Sequence, residues 1–566
     1  MRQHSVPRVR IAAIAAAIAA LLPLSVFAQT EQPPSQPSLT AAVEAQAAQA
    51  AAAPAGPVRR ISVDEAVKLA LEQNLGIQIQ RMDPQVQDLS IAQAKSFWAP
   101  SVSSMITKNN QTQAVTSALS GGETNASILN SQFSGGVGLS QTLPWGGAYT
   151  ASWNSARLTS TNIFSNFSPQ LSSTLNLQYQ QPLLRNLSMD SIRQQVALSK
   201  KSRDLSDINL ESVVTLTARN VRNAYWDLAY AINNLKAQQE SLALSQQSLK
   251  DNQKRVEIGT MAPIDIVQAQ AEVASNESGV IVAEAQIRSA QDQLRTLIMD
   301  PAAPDFWEVT LEPTDEMPFT EQTIDIDAAV HNALDKRTDL RAARNSLDQG
   351  DINIRYFNNQ IKPDVNAQFG YVTTGVGGTA LNAVNPLIPA EGGLIVPSRG
   401  FGSVLGDVFQ SAYPNWTIGL QVAYPLGSST AQANLARTKL QYQESQVQMK
   451  NLQMQVVLQV RNAGRNVVTN EKVVQSARAS RELQEKKLEA EQKKLAAGMS
   501  TSFFVFQAQR DLSAARVSEI QAISAYNKSL VDFEAVQQVP LTGSPNVITP
   551  GAGAIQTGGI VRTGGS

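Results

Sequence analysis

Residues 258–270 read IGTMAPIDIVQAQ, and residues 497–509 read AGMSTSFFVFQAQ. Each stretch ends a long run nearly free of Gly and Pro with a single glycine, Gly259 or Gly498. Each also places Gln-Ala-Gln at the same distance beyond it, at Gln268 to Gln270 and at Gln507 to Gln509. A glycine at the end of a helix is the usual left-handed stop, so both stretches read as helix, tight turn, helix. Two such turns 239 positions apart are the mark of a copied structural unit.

The copy can be followed outward from the turns. Ile61-Ser-Val-Asp-Glu-Ala-Val matches Ile324-Asp-Ile-Asp-Ala-Ala-Val, Pro100 matches Pro363, and Pro182-Leu-Leu matches Pro425-Leu-Gly. The offset is 263 before the region of Pro100 and about 240 after it, so the first copy carries extra residues between these landmarks.

Within each copy the hydrophobic period changes. From Asp190 to Glu257 there is no Pro or Gly, and Leu210, Val214, Thr217, Val221, Ala224, Leu228, Ala231 and Leu235 keep an alternating spacing of four and three. That is a heptad seam, and a helix of this length extends roughly 100 Å. The second copy repeats it from about Thr430 to Ala497, interrupted by Gly464. Further helices are expected over about 63–97, 263–299, 325–360 and 502–537, the first opened by the Ser62-x-x-Glu65 box.

Between these helices the period falls to two. Trp416, Ile418, Leu420, Val422 and Tyr424 alternate with Thr417, Gly419, Gln421 and Ala423, and Val365, Ala367, Phe369 and Tyr371 alternate with polar neighbours. Leu175, Leu177 and Tyr179 do the same in the first copy. Strands of about nine to eleven residues with aromatic ends have the length of a tilted membrane strand. Two more strands, Val137 to Thr142 and Ala148 to Trp153, flank the turn Leu143-Pro-Trp-Gly-Gly147. They would either widen a barrel or form a hairpin outside it. The segments 108–132 and 375–412 read as polar, Gly-rich loops, with Gly375-Val-Gly-Gly378 a surface loop rather than a phosphate cradle.

Composition removes most enzyme classes. The 566 residues contain no cysteine and only two histidines, His4 and His331, so thiolate sites, histidine triads and histidine-based zinc sites cannot be assembled. Asp325, Asp327 and Asp335 near His331 read as helix-start carboxylates rather than metal ligands. Lys plus Arg (46) balances Asp plus Glu (47), which excludes a nucleic-acid footprint. Residues 1–28 have the basic start, apolar stretch and small-residue end of a secretory signal peptide. No later run is apolar enough for a transmembrane helix.

The order of helix, strands, long helix, glycine turn and helix, twice over, resembles the TolC-like outer membrane efflux protein family across about residues 60–540. The resemblance implies an internally duplicated α+β membrane protein. Three chains share one transmembrane β-barrel, which continues into a long periplasmic α-helical coiled-coil barrel. Strand closure independently favours several chains, because an open edge in lipid leaves unpaired backbone groups. The parts are then a signal peptide at 1–28, an Ala/Gln/Pro-rich disordered leader at 29–58, a first repeat at 59–300, an equatorial linker at 301–323, a second repeat at 324–538 and a Gly-rich tail at 539–566.

The implied function is a passive duct of a tripartite efflux or type I secretion system, with no enzymatic activity and no cofactor. Its partners would be two further copies of the chain, a periplasmic adaptor (membrane fusion) protein, an inner-membrane RND or ABC pump, and outer membrane lipid. Gly259, Thr260, Gly498 and Met499 would then form the tips that dock the adaptor. Asp265, Gln268, Phe504 and Gln507 would line the aperture, and Trp416, Ile418, Leu420, Val422 and Tyr424 would face lipid. Where the family places gating aspartates after the second turn, this chain has Phe504 and Gln507. Phe503, Phe504 and Phe506 are therefore either a hydrophobic constriction or ordinary helix packing. A stand-alone porin and a periplasmic coiled-coil scaffold are the competing readings.

Overall fold

The long helices are where the sequence places them, and the rest of the fold hangs from their ends. The computed structural model describes residues 57–115, 127–162, 164–381, 397–427 and 429–538. The signal peptide, the leader as far as residue 56 and the tail from 539 lie outside the described residues.

Strand β1 (Val58–Ile61) leads into α1 (Val63–Gln73), which is capped by Ser62 Oγ accepting from the Glu65 backbone N–H. Helix α2 (Leu75–Ser96) follows. The single helix expected over about 63–97 is thus broken at Asn74. The backbone of Asn74 leaves the helical region (φ −64, ψ 121), and its side chain caps α2 by accepting from Ile77 N–H. The second copy is broken likewise, into α5 (Ile326–Lys336) and α6 (Thr338–Gln360), at Arg337.

The extended elements are β2 (Ser101–Ala114), β3 (Ser127–Thr142), β4 (Ala148–Ser160), β5 (Phe167–Pro182), β6 (Thr310–Pro313), β7 (Asp364–Ala380) and β8 (Pro414–Ala423). Helices α3 (Ser191–Glu257) and α8 (Thr430–Ala496) contain 67 residues each. Their antiparallel partners α4 (Ile264–Ile298) and α9 (Ser502–Val536) contain 35 each. A full capping box opens α8, with Ser429 and Gln432 bonding reciprocally. None of the described helices is long and apolar enough to cross a membrane.

Each copy has its own core, where the short helices and the linker cross the long ones. In the first, Tyr225, Leu228, Val221, Ile61, Ile298 and Leu311 are buried together. The Tyr225 hydroxyl donates to the Ile61 carbonyl (3.1 Å). In the second, Val456, Val460, Val467, Leu340, Ala333 and Tyr526 are buried, and Tyr526 donates to the Thr320 carbonyl (2.7 Å). Gly464 is required in that core, since a Cβ there would stand 2.9 Å from Ile326 Cγ1 and 3.3 Å from Phe533 Cε2. The linker is not purely irregular. Its strand β6 pairs in parallel with β1, so Val58, assigned to the leader from sequence, belongs to the folded part.

The other six strands make one antiparallel sheet in the order β2-β3-β4-β5-β7-β8. The segments expected as loops are therefore partly strand. β2 runs to Ala114, β3 begins at Ser127, and β7 continues to Ala380. Beyond it lies an unforeseen helix, α7 (Phe401–Phe409), with Val404 and Val408 buried against the sheet. Gly375 and Gly377 are strand residues that make room for this helix, since a Cβ on Gly375 would stand 2.1 Å from the Val404 carbonyl oxygen. Asp407 accepts from Arg399 at 2.7 Å and ties α7 to the strand end.

Candidate functional site

Two regions have functional geometry: the glycine turns at one end of the long helices and the sheet at the other. At the first turn, Gly259 adopts φ +76 and its N–H donates to the Val256 carbonyl, while Thr260 N–H donates to the Arg255 carbonyl. At the second, Gly498 adopts φ +73, its N–H donates to the Leu495 carbonyl, and Met499 N–H donates to the Lys494 carbonyl. Both are the same paired closure of a helix C-terminus, in which the glycine occupies the left-handed position that a side chain would strain. Thr260 adds a side-chain bond to the Arg255 carbonyl at 2.9 Å. Gly259, Thr260, Gly498 and Met499 are all exposed.

The aperture candidates divide. Ser502, at the start of α9, is buried, and its hydroxyl donates to Asp265 Oδ1 at 2.6 Å, tying the second tip to the first. Gln268 and Gln507 are exposed. Phe503 and Phe504 are exposed, with rings in edge contact at 5.6 Å. Phe506 is only 5% exposed, against 55% for Phe504, so the three phenylalanines do not act as one group. Val505, Ala508 and Leu512 are buried together with Leu488 of α8. The sequence gives no sign of this division, because it depends on which side of α9 meets the other helices.

Just above the tips, α3, α4 and α9 enclose an open groove of about 420 Å³ lined by Ser241, Glu272, Gln509, Arg510, Ser513 and their neighbours. Burial pushes the Glu272 carboxyl above the usual carboxylate range, and Arg510, 3.7 Å away, partly offsets this. The two copies are stitched together here. Ser241 bonds Ser513 at 2.8 Å, Gln509 donates to Ser248 at 3.0 Å, and Arg516 pairs with Glu240 at 3.1 Å. None of these partners could be read from the sequence, since each pair is separated by more than 230 residues.

At the opposite end the sheet register sorts side chains into two faces. One row runs Val102, Leu139, Ala151, Leu177, Tyr371, Trp416 across all six strands. The adjacent row on the other face runs Ser103, Gly138, Ser152, Asn176, Val372, Asn415. Trp416, Ile418, Leu420 and Val422 are all exposed on the apolar side, whereas Tyr424, also exposed, lies just beyond the strand, which ends at Ala423. On the polar side Gln368 donates to Gln421 at 2.8 Å.

Among the described residues no group of His, Asp and Glu side chains could hold a metal ion. Asp325 instead caps α5, accepting from the Asp327 and Ala328 N–H groups.

A family model described as outer membrane efflux protein matches residues 148–298 and 329–536. No curated protein matches the sequence significantly. Among solved structures, the CmeC outer membrane channel of Campylobacter jejuni superposes with a TM-score of 0.59 at 15% identity, covering 84% of this chain and 85% of that one. A membrane protein from Pseudomonas aeruginosa gives 0.60 at 15% identity, covering 88% and 94%. The open state of the MtrE outer membrane channel of Neisseria gonorrhoeae gives 0.56 at 16% identity, covering 85% and 91%. At these identities the structural likeness is one of fold.

Proposed function

The chain belongs to the outer membrane efflux protein family, and from that premise we propose that three copies form a passive export duct. It is an outer membrane channel protein that reaches into the periplasm. In the proposed duct the sheet stands in the membrane with the Trp416 row toward lipid and the Gln421 row toward the lumen. The tips at Gly259 and Gly498 dock a periplasmic adaptor protein, and an inner-membrane pump of the RND or ABC type supplies the energy. Asp265, Gln268, Phe504 and Gln507 line the aperture, and Phe504 contributes an apolar constriction.

The observation that carries assembly is an uncovered helix face. In the second copy, α6 packs on its own long helix α8 and also on α3 of the first copy. Its equivalent α2 packs chiefly on α3 alone. Leu75, Ile79, Met82, Val86 and Leu89, at heptad spacing, are left exposed on α2. Their counterparts at the offset of 263, Thr338, Ala342, Asn345, Gln349 and Ile352, are more polar and yet buried or half-buried.

The copied geometry names the missing partner. Asn345 of α6 donates to the Lys201 carbonyl of α3. Applying the offsets 263 and 239 puts Met82 opposite Leu440 of a neighbouring chain, and Leu440 is itself exposed on α8. Burying such a stripe stabilises by about 1.5–3 kcal/mol per large side chain.

A stand-alone porin has no use for two helices of 67 residues, and a soluble scaffold has no use for a sheet with an exposed apolar face. Native mass measurement of detergent-purified protein, together with export of a dye or antibiotic from cells carrying or lacking the chain, tests the reading. A monomer, or export that does not depend on the chain, would refute it.

A further inference from the structure

Six strands in the large sheet, among the described residues, raise the question of how wide the shared barrel is. The first copy contributes β2 to β5 and the second contributes β7 and β8. Landmarks of the duplication make β2 the counterpart of β7, since each follows the second short helix, and β5 the counterpart of β8, since each leads into a long helix. The hairpin β3–β4 is thus the extra material, and it lies between β2 and β5 in the sheet rather than beside them. β2 pairs with β3 over its whole length and β4 pairs with β5, so no β2–β5 pairing exists among the described residues.

Two further observations hold the hairpin in the wall. Its apolar residues Val137, Leu139 and Trp153 fall in the same rows as Leu175, Leu177, Tyr371 and Trp416, so all six strands share one apolar and one polar face. Its turn is also seated at the junction with the long helix. A Cβ on Gly146, which adopts φ +94, would stand 2.9 Å from the Asn186 carbonyl oxygen and 2.8 Å from the Arg193 guanidinium.

We propose that the barrel holds eighteen strands, six from each of three chains, closed by β8 of one chain pairing antiparallel with β2 of the next. This rests on the three-chain assembly proposed above. Among the described residues of this sheet only β2 and β8 have a free edge, and they run in opposite directions because the antiparallel order contains an even number of strands. Lipid does not tolerate an unpaired edge, so the two edges must meet.

The duplication also gives the register. Pro182 of β5 stands opposite Asn366 of β7. Their counterparts Pro425 and Ser103 then stand opposite each other across the chain boundary, which brings Val422 against Ile106. Both are on the apolar face and largely exposed, 62% and 73%. At a strand spacing of about 4.8 Å and a tilt of about 40°, eighteen strands enclose a cylinder about 36 Å across between strand axes, against about 24 Å for twelve. The cross-section is about doubled, and the lumen rows of Ser, Thr, Asn, Gln and Gly carry little charge. The barrel would therefore pass bulky polar cargo without selecting on charge, and selection would rest with the tips.

The chain contains no cysteine, so disulfide trapping has no background. Oxidation of the double variant Ile106→Cys/Val422→Cys in membranes should give crosslinked dimers and trimers on a denaturing gel. Trp153→Cys/Val422→Cys should give none, and Ile106→Cys/Leu175→Cys, which would face each other if β2 paired with β5 as β7 pairs with β8, should give no crosslink within the chain. A Trp153–Val422 crosslink, or an Ile106–Leu175 crosslink within the chain, means a twelve-stranded wall with one hairpin outside it and overturns the proposal. Electron cryo-microscopy of the unaltered chain in lipid nanodiscs counts strands directly, covering the case in which a variant fails to assemble: eighteen supports the proposal and twelve refutes it. A monomer in the same nanodiscs would instead sink the three-chain reading on which it rests.

Discussion

Ser502 Oγ donates to Asp265 Oδ1 at 2.6 Å, joining the first turn of α9 to the first turn of α4 across the two copies. Hydrogen bonds to charged groups contribute about 1.5–3 kcal/mol, and Ser502 is buried, so its hydroxyl has no water to fall back on. Asp265→Ala and Ser502→Ala should each loosen the tip and raise the closed-state conductance in planar bilayers, while the double variant adds little to either single one. Additive effects would show that the two residues act separately.

The phenylalanines after the second turn predict opposite outcomes. Phe504 is exposed and Phe506 is buried. Phe504→Ala should raise closed-state conductance with little change in thermal stability. Phe506→Ala should lower stability by about 3–5 kcal/mol through the cavity it leaves. If Phe504→Ala leaves the closed conductance unchanged, the hydrophobic constriction is wrong and the ring is there for contact with something else.

Glu272 gives the tip region a pH dependence. Burial raises its carboxyl above the ordinary value of 4.5, with Arg510 acting in the other direction. A raised folded value means that the folded state holds the proton more tightly than the unfolded one. The contribution to stability is therefore complete below the ordinary value and is lost as pH rises through the folded value. Unfolding midpoints measured from about pH 4 to about pH 7 should fall less steeply for Glu272→Gln than for the natural chain. Identical slopes would show that the side chain is solvated in the assembled protein.

How much of this was legible depends on how local each signal is. The turns at Gly259 and Gly498 and the seam through Val221, Leu228 and Ala231 were readable because helix stops and heptads are written in neighbouring residues. The break at Asn74 was not, because apolar residues continue past it and only the cap marks the change. Helix α7 escaped because nine residues with glycines at 402 and 406 are too short a run to display a helical period. The partners of Asp265 and Glu272, Ser502 and Arg510, lie more than 200 residues away in the chain. The position of β3 and β4 in the sheet was open for the same reason, since an alternating strand does not name its neighbour.

The sharpest test of assembly is the pair Met82 and Leu440, both exposed in a single chain, 58% and 66%, and opposite each other only if the duplication continues across a chain boundary. A charge placed on either side of that contact would be buried against hydrocarbon, which costs far more than the methylenes removed. Met82→Glu and Leu440→Lys should each shift the protein from trimer toward monomer by native mass measurement. Because α2 touches little else on that face, the separated chains should keep their helical circular dichroism. Combining the two substitutions places opposite charges across the boundary and should restore part of the trimer, which a general loss of folding would not allow. If neither single variant alters the oligomer, α2 meets a different surface of the neighbour, and the offsets that place Met82 against Leu440 do not hold between chains.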